Sequence, residues 1–117
     1  MIRKLIIVLA ILAISQQGCE KQPDPRVVIH EKVTGRDNEG YPYIEVTLKN
    51  TGGQPAYFVF LYISPILDGK EYPEESKEYG DILPGGELTE RFQFEYLGFR
   101  EPDDYDMYVS YTQNFNP

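Results

Sequence analysis

The sequence predicts an all-β domain, a β-sandwich of about seven short antiparallel strands, placed after an N-terminal export leader. Three observations carry that expectation. Apolar and polar residues alternate at period two over several short segments. Nine Pro and ten Gly fall between those segments, where turns are needed. Ten Tyr and six Phe supply side chains that suit a pleated, half-buried surface. No segment after Ile14 has helical periodicity, and no segment repeats.

The leader comes first. Met1-Ile2-Arg3-Lys4 is a short basic start, and Leu5 to Ile14 carry no charge or strong polar group. A basic n-region followed by an apolar h-region is the pattern of a secretory signal. As a helix, such a run rises about 15 Å, half of a ~30 Å hydrocarbon core, which is too short for a permanent span. Gly18 is the small residue required before a cleavage site, and the only cysteine, Cys19, follows it.

Gly18-Cys19 after an h-region resembles the lipobox of bacterial lipoproteins. The resemblance implies that the Cys19 thiol carries diacylglycerol and becomes the new N-terminus. Gln16 stands where the pattern usually has Leu, and Gln17 is also atypical. The competing expectation is an ordinary signal peptide cut nearby, with Cys19 an incidental thiol. Cys19 has no partner in the chain, and a free thiol is a liability in an oxidising compartment, which favours acylation. Three acyl chains exceed the two signals that stable anchoring needs. Residues 1–18 are therefore the expected signal peptide, 19–25 a lipidated tether rich in polar residues and proline, and 26–117 the domain.

Cleavage before Cys19 removes 18 of 117 residues and leaves 99, enough for one core. Arg3 and Lys4 leave with the signal, so a formal charge of −8 becomes −10. Such a surface is a poor match for nucleic acid, whose phosphates call for Lys and Arg. It also repels anionic lipid head groups, so the expected link to the membrane is the anchor alone. Localisation is expected at the cell envelope, as an exported, membrane-anchored protein.

The strands follow in order. Val27, Ile29 and Val33 fall on one face of the first, with Val28 and His30 on the other. Ile44, Val46 and Leu48 alternate with Glu45, Thr47 and Lys49. Ala56 to Ile63 is apolar on both faces, as in a central strand covered on both sides or one with a face left for a partner. Residues 71–80 are acidic, and Glu71, Glu74, Glu75 and Glu78 read as a solvated, mobile connection, although Lys77 to Leu83 has the makings of a short strand. Leu88, Phe92, Phe94 and Tyr96 alternate with Thr89, Arg91, Gln93 and Glu95. Tyr105, Met107, Val109 and Tyr111 alternate with Asp106, Tyr108, Ser110 and Thr112. Turns are expected at Asp37–Gly40, Asn50–Gly53, Asp68–Lys70 and Pro84–Gly86.

"VTLKNTGGQPAYFVFLYI" followed by "DILPGGELTERFQF" resembles the bacterial CARDB and FxLYD-type immunoglobulin-like modules. Asn50-Thr51-Gly52 matches their strand-ending motif. Leu83-Pro84-Gly85-Gly86-Glu87 matches the second motif with one extra glycine, and "DDYDMYVSY" looks like the closing strand. Phe60-Leu61-Tyr62 is similar to the namesake motif, but no Asp follows Tyr62. The likeness covers roughly Val27 to Thr112. It implies an immunoglobulin-like sandwich and a non-enzymatic module used for interaction or spacing, with turn geometry as the reason for the Asn and Gly.

No catalytic constellation is legible. Ser64, Ser76 and Ser110 and the single His30 form no nucleophile–base motif, so the expectation is not an enzyme. Nothing implies a cofactor, and one His beside one acylated Cys does not make a zinc site. Asp103, Asp104 and Asp106, and Asp37, Asn38 and Glu39, cluster in two turns without EF-hand spacing. They read as solvated loops, with a calcium-stabilised adhesin-like domain as the minor alternative. The candidate binding face is aromatic. With Val59, Leu61 and Ile63 inward, Phe58, Phe60 and Tyr62 face out, and Tyr108 joins them. A one-residue slip would instead leave Tyr57, Val59, Leu61 and Ile63 outside. The face is either a docking surface or covered by the tether, the 71–80 connection or a second copy. The function expected is a non-catalytic interaction module with an envelope protein partner, or else a carbohydrate- or peptide-binding module using exposed aromatics.

Overall fold

Alternation decides which side of each strand meets the core. The computed structural model describes residues 24–113, and the expected leader, Gly18 and Cys19 lie outside them. Within them, β1 (Val27–Arg36), β2 (Pro42–Asn50) and β6 (Glu87–Phe92) form one antiparallel sheet with β2 in the middle. Residues directly opposite in an antiparallel pair share a face. Ile44, Val46 and Leu48 are buried, and Phe92, Glu90 and Leu88 stand opposite them on β6.

The second sheet is centred on β3 (Ala56–Leu67). β7 (Asp104–Thr112) pairs along one side and β5 (Glu75–Ile82) along the other. The two-residue β4 (Lys70–Glu71) continues the line of β5 past the end of the hairpin. Asp68 and Gly69 both have positive φ, 54° and 77°, as a two-residue type I′ hairpin turn requires, and Asp-Gly is a preferred pair for it. Val59, Leu61 and Ile63 point inward and are fully buried. Together with Val27, Ile44, Val46, Leu48 and Phe92 from the first sheet they form one core, so the two sheets pack as layers of a sandwich.

Tyr79 ties the layers together. It is an extra residue in β5, between Glu78 opposite Phe60 and Gly80 opposite Val59. Its ring enters the core, and its hydroxyl donates to the Val46 carbonyl of the other sheet at 2.8 Å. Burial, then the Glu90 carboxylate, raises its phenol far above the ordinary range. Burial, then Glu101, raises Tyr105 to about 12.

Three expectations are corrected, each for a physical reason. In β1, Ile29 stands opposite Leu48 and Glu31 opposite Thr47, which leaves His30 as an unpaired extra residue. Such a bulge sends every later side chain to the other face. Val33 therefore lies opposite Glu45, 44% exposed, while Lys32 and Thr34 take the inner side. Only 72–74 of the acidic stretch connect strands: Glu71 lies in β4, at the edge strand expected near Lys70–Tyr72, and Glu75 and Glu78 belong to β5 and pair with Ile63 and Phe60. An edge strand accommodates these acids because their side chains reach past the sheet to water. Finally, β6 ends at Phe92, and a 3₁₀ turn over Glu95–Leu97 takes over. The turn buries Leu97 and turns out Tyr96, whose hydroxyl donates to the Pro73 carbonyl at 2.6 Å.

The Asn50 motif is also structural, but not through a left-handed turn. Asn50 is fully buried at the end of β2. Its Oδ1 accepts from the N–H groups of Arg26 at 3.0 Å and Gly52 at 2.9 Å. Its Nδ2 donates to the carbonyls of Gln54 at 2.7 Å and Ile82 at 2.9 Å. Gly52 is needed for closeness, because a Cβ there would lie 2.0 Å from the Asp24 carbonyl oxygen. Gly85, by contrast, does adopt positive φ, 79°, in the Pro84 turn.

Two predictions follow from these bonds. Asn50→Ala strips partners from four backbone groups, one buried and three partly buried, and should cost about 3 kcal/mol in urea unfolding. Asn50→Asp should cost at least as much, since a carboxylate would face two carbonyl oxygens. Tyr79 and Tyr105 hold their protons past the unfolded value of about 10. The folded state therefore loses stability as pH rises from about 10 through 12. Alkaline unfolding, followed with tyrosinate absorbance, should be shallower in Tyr79→Phe, at a cost near neutral pH of about 1 kcal/mol.

Candidate binding face

The outer face of the β5–β3–β7 sheet is read from register. Tyr62 stands opposite Ser76 on one side and Tyr108 on the other; Phe60 stands opposite Glu78 and Ser110. The Tyr62 and Tyr108 rings stack with centroids 4.6 Å apart and planes 8° apart. Parallel rings that close overlap face to face, so they stand up from the sheet with their edges outward. Phe60 continues the row, 6.3 Å from Tyr62.

Phe58 reaches the surface by another route. The register slips between Tyr57, opposite Thr112, and Phe60, opposite Ser110. Phe58 sits in this bulge at φ 54°, a conformation rare for a bulky residue, with its N–H donating to Asp81 Oδ1 at 3.1 Å. Its ring is 47% exposed, and Tyr57 takes the regular outward place. The structure thus brings Phe60, Tyr62 and Tyr108 together by pairing and adds Phe58 through a bulge. The 71–80 segment lies alongside as β4 and β5, touching the row through Glu74 Oε2, which accepts from the Tyr108 hydroxyl at 3.4 Å. Tyr108 is 53% exposed; desolvation first, then Glu74, raises its phenol. Of the expected tether, Asp24 and Pro25 are described; Asp24 Oδ1 accepts from Gln113 Nε2 at 3.0 Å, and Pro25 is buried.

The charged side chains that pair in outward positions on this sheet are acidic. Asp106 stands opposite Ser64, and Glu71 and Asp104 opposite Ile66. The outer face of the other sheet is arranged differently. Arg91 lies 3.7 Å from the Tyr43 ring centroid and donates to Glu45 at 2.8 and 3.0 Å, Lys49 lies 3.7 Å from Glu87, and Thr47 bonds Thr89 at 2.7 Å.

A second aromatic feature escapes period-two reading. Tyr41 and Phe99 stack at 4.4 Å, both exposed, at the end of the sandwich opposite Asp24. Beside them opens a cleft of about 320 Å³ lined by Asp37, Glu39, Gln93, Phe94, Glu95 and Gly98. Arg36 Nη1 braces its rim by donating to the Gly40 and Phe99 carbonyls at 2.7 and 3.0 Å. The signal in the sequence is faint: each aromatic follows a glycine in a turn, and their meeting is long-range.

The acidic turns spend their carboxylates on the backbone. Asp37 Oδ1 accepts from the N–H groups of Glu39 and Tyr41, and its Oδ2 from Gln93, whose bond is the main reason its carboxyl sits below the usual range. Asp103 Oδ2 accepts from the Asp68 N–H at 2.8 Å, and Asp104 from that of Tyr105. Among the described residues no three acidic, His or Cys groups gather as a metal-holding cluster. His30 lies in the β1–β2–β6 sheet, whereas Ser64, Ser76 and Ser110 belong to the other. No helix of the described residues is long and apolar enough to cross a membrane. No family model, curated protein or solved structure matches the chain.

The inner and outer sides of β3 should respond differently to truncation. Leu61→Ala should cost about 2–5 kcal/mol, whereas Tyr108→Ala should cost about 1 kcal/mol, the worth of an exposed aromatic pair. Thermal and urea unfolding of both variants checks this. Comparable losses would mean that the row is structural packing.

Proposed function

We propose that the protein is an exported bacterial lipoprotein, anchored through acylated Cys19, whose immunoglobulin-like sandwich serves as a non-catalytic interaction module of the cell envelope. The observation that carries the interaction reading is the row Phe60, Tyr62 and Tyr108 on the outer side of one sheet, where Tyr108 is exposed and Phe60 and Tyr62 are half-buried. Exposed aromatics gathered on one rigid face are the usual anchors of protein interfaces. The anchor reading rests on the leader and on Gly18-Cys19, and the immunoglobulin-like reading on the Asn-Thr-Gly and Leu-Pro-Gly motifs together with the two antiparallel sheets. The geometry suits a tether: Asp24 bonds Gln113 past the end of β7, and Arg26 bonds Asn50 at the end of β2.

The mass of the membrane-extracted chain tests the anchor. An N-terminus at Cys19 with added acyl mass is expected, and Cys19→Ala should be released or remain uncut. An unmodified thiol with cleavage elsewhere would make the protein a soluble secreted domain. A photo-crosslinking residue at position 62 tests the face in cells. A discrete adduct is expected there and not at position 31 on the opposite sheet; equal or absent labelling at both would remove the face from consideration.

A second reading, a carrier for a sugar or peptide, draws on the Tyr41–Phe99 stack beside the cleft. Binding on a glycan panel that is lost in Tyr41→Ala would favour it.

A further inference from the structure

The two outer faces of the sandwich differ in charge balance. On the β1–β2–β6 side, acid meets base: Glu45 with Arg91, and Glu87 with Lys49. On the β5–β3–β7 side the outward charged residues of the paired strands are Glu71, Glu78, Asp104 and Asp106, with no cation among them. None of these four carboxylates forms an ion pair among the described residues. Lys77, the lysine of β5, is turned away. It stands opposite inward-facing Leu61, donates to the Arg91 carbonyl and lies 5.4 Å from the Phe92 ring centroid. Lys70 stands opposite Leu67 and lies 5.1 Å from the Tyr72 ring centroid. The cations nearest this sheet are thus spent elsewhere, and the aromatic row is flanked by unbalanced acid.

We infer that the outer face of the β5–β3–β7 sheet docks a basic, extended segment of a partner protein, its Arg or Lys side chains lying beside the Tyr62–Tyr108 stack and against Glu78 and Asp106. The inference rests on the interaction-module reading and names the chemistry of the partner. The Glu78 and Asp106 carboxylates attract the cations, and the apolar stem of an Arg or Lys packs beside the upright rings. From Phe60 to Ile66 the outward row runs about 20 Å, the length of an ordinary strand. Other occupants fit less well. A second copy would set acid against acid. Anionic lipid is repelled for the same reason. A sugar lies flat on open ring faces, but Tyr62 and Tyr108 turn faces to each other and edges to solvent.

Fluorescence anisotropy of the detergent-solubilised full chain with a labelled alternating Arg-Ser peptide, and with its Glu-Ser counterpart, tests this. The Arg-Ser peptide should bind, more weakly as salt rises, and the Glu-Ser peptide should not. Glu78→Lys and Tyr108→Ala should each weaken binding about tenfold. Glu31→Lys, which changes net charge equally but lies on the opposite sheet, should leave it within about twofold. Equal weakening by Glu78→Lys and Glu31→Lys would overturn the inference, since diffuse charge would then explain the binding. Absence of Arg-Ser binding would overturn it as well. Tyr108-dependent binding of the Glu-Ser peptide would overturn the cationic partner but keep the face as an interaction surface. A position-62 adduct in cells without any Arg-Ser binding would do the same, whereas loss of both would remove the face altogether.

Discussion

The side chain of Asn50 is the junction on which the sandwich depends. Three backbone segments meet near it: the entry to β1 at Arg26, the loop at Gly52 and Gln54, and the exit of β5 at Ile82. Each presents a polar group where no sheet ladder can satisfy it. Few side chains of this length offer two donors and two acceptor positions together. The Asn50 backbone adds bonds to Gly85 and Gly86, so the turn before β6 is held at the same point. Because strands of both sheets meet here, the junction sets their relative position, and the registers follow.

Much of this was legible because β2, β7 and β3 from Val59 onward keep a two-residue period, and that period places their inward residues without any knowledge of neighbours. The misplaced Val33 traces to a bulge, and two more bulges went unseen. His30, Phe58 and Tyr79 are each one residue too many for the partner strand, and a bulge is a property of a pair of strands, invisible in either alone. Asn50-Thr51-Gly52 was legible as a motif, but its reason was not, since the groups that Asn50 satisfies lie up to 32 residues away. In the candidate site, the outward side of Phe60, Tyr62 and Tyr108 could be read from alternation. Their contact required the pairing of Tyr62 with Tyr108, and the Tyr41–Phe99 stack required a turn and a 3₁₀ segment to meet across the end of the fold.

The same aromatic chemistry does opposite jobs on the two faces. Tyr43 lies beneath Arg91, and Arg91 is held by Glu45, so ring, cation and acid complete one another. Tyr62 and Tyr108 have each other, Phe60 and the Glu74 carboxylate. One face is closed by its own residues and the other is left open, and register, through Lys77, produces that difference as much as composition does.

The bulge at His30 has a further effect, on the outer edge of β1. An edge strand carries unpaired backbone groups that invite another chain to add on. Beyond the bulge, Lys32 and Thr34 stand opposite inward-facing Val46 and Ile44, where a continuous strand would have set Glu31 and Val33. A strand arriving from another molecule would meet a kinked ladder and a lysine aimed under it. Were His30 paired into the ladder, Val27, Ile29 and Val33 would share the inner side with Glu31 alone between them, along a straight edge that another strand could extend. The irregularity that confounds the sequence pattern thus guards the domain against association with itself.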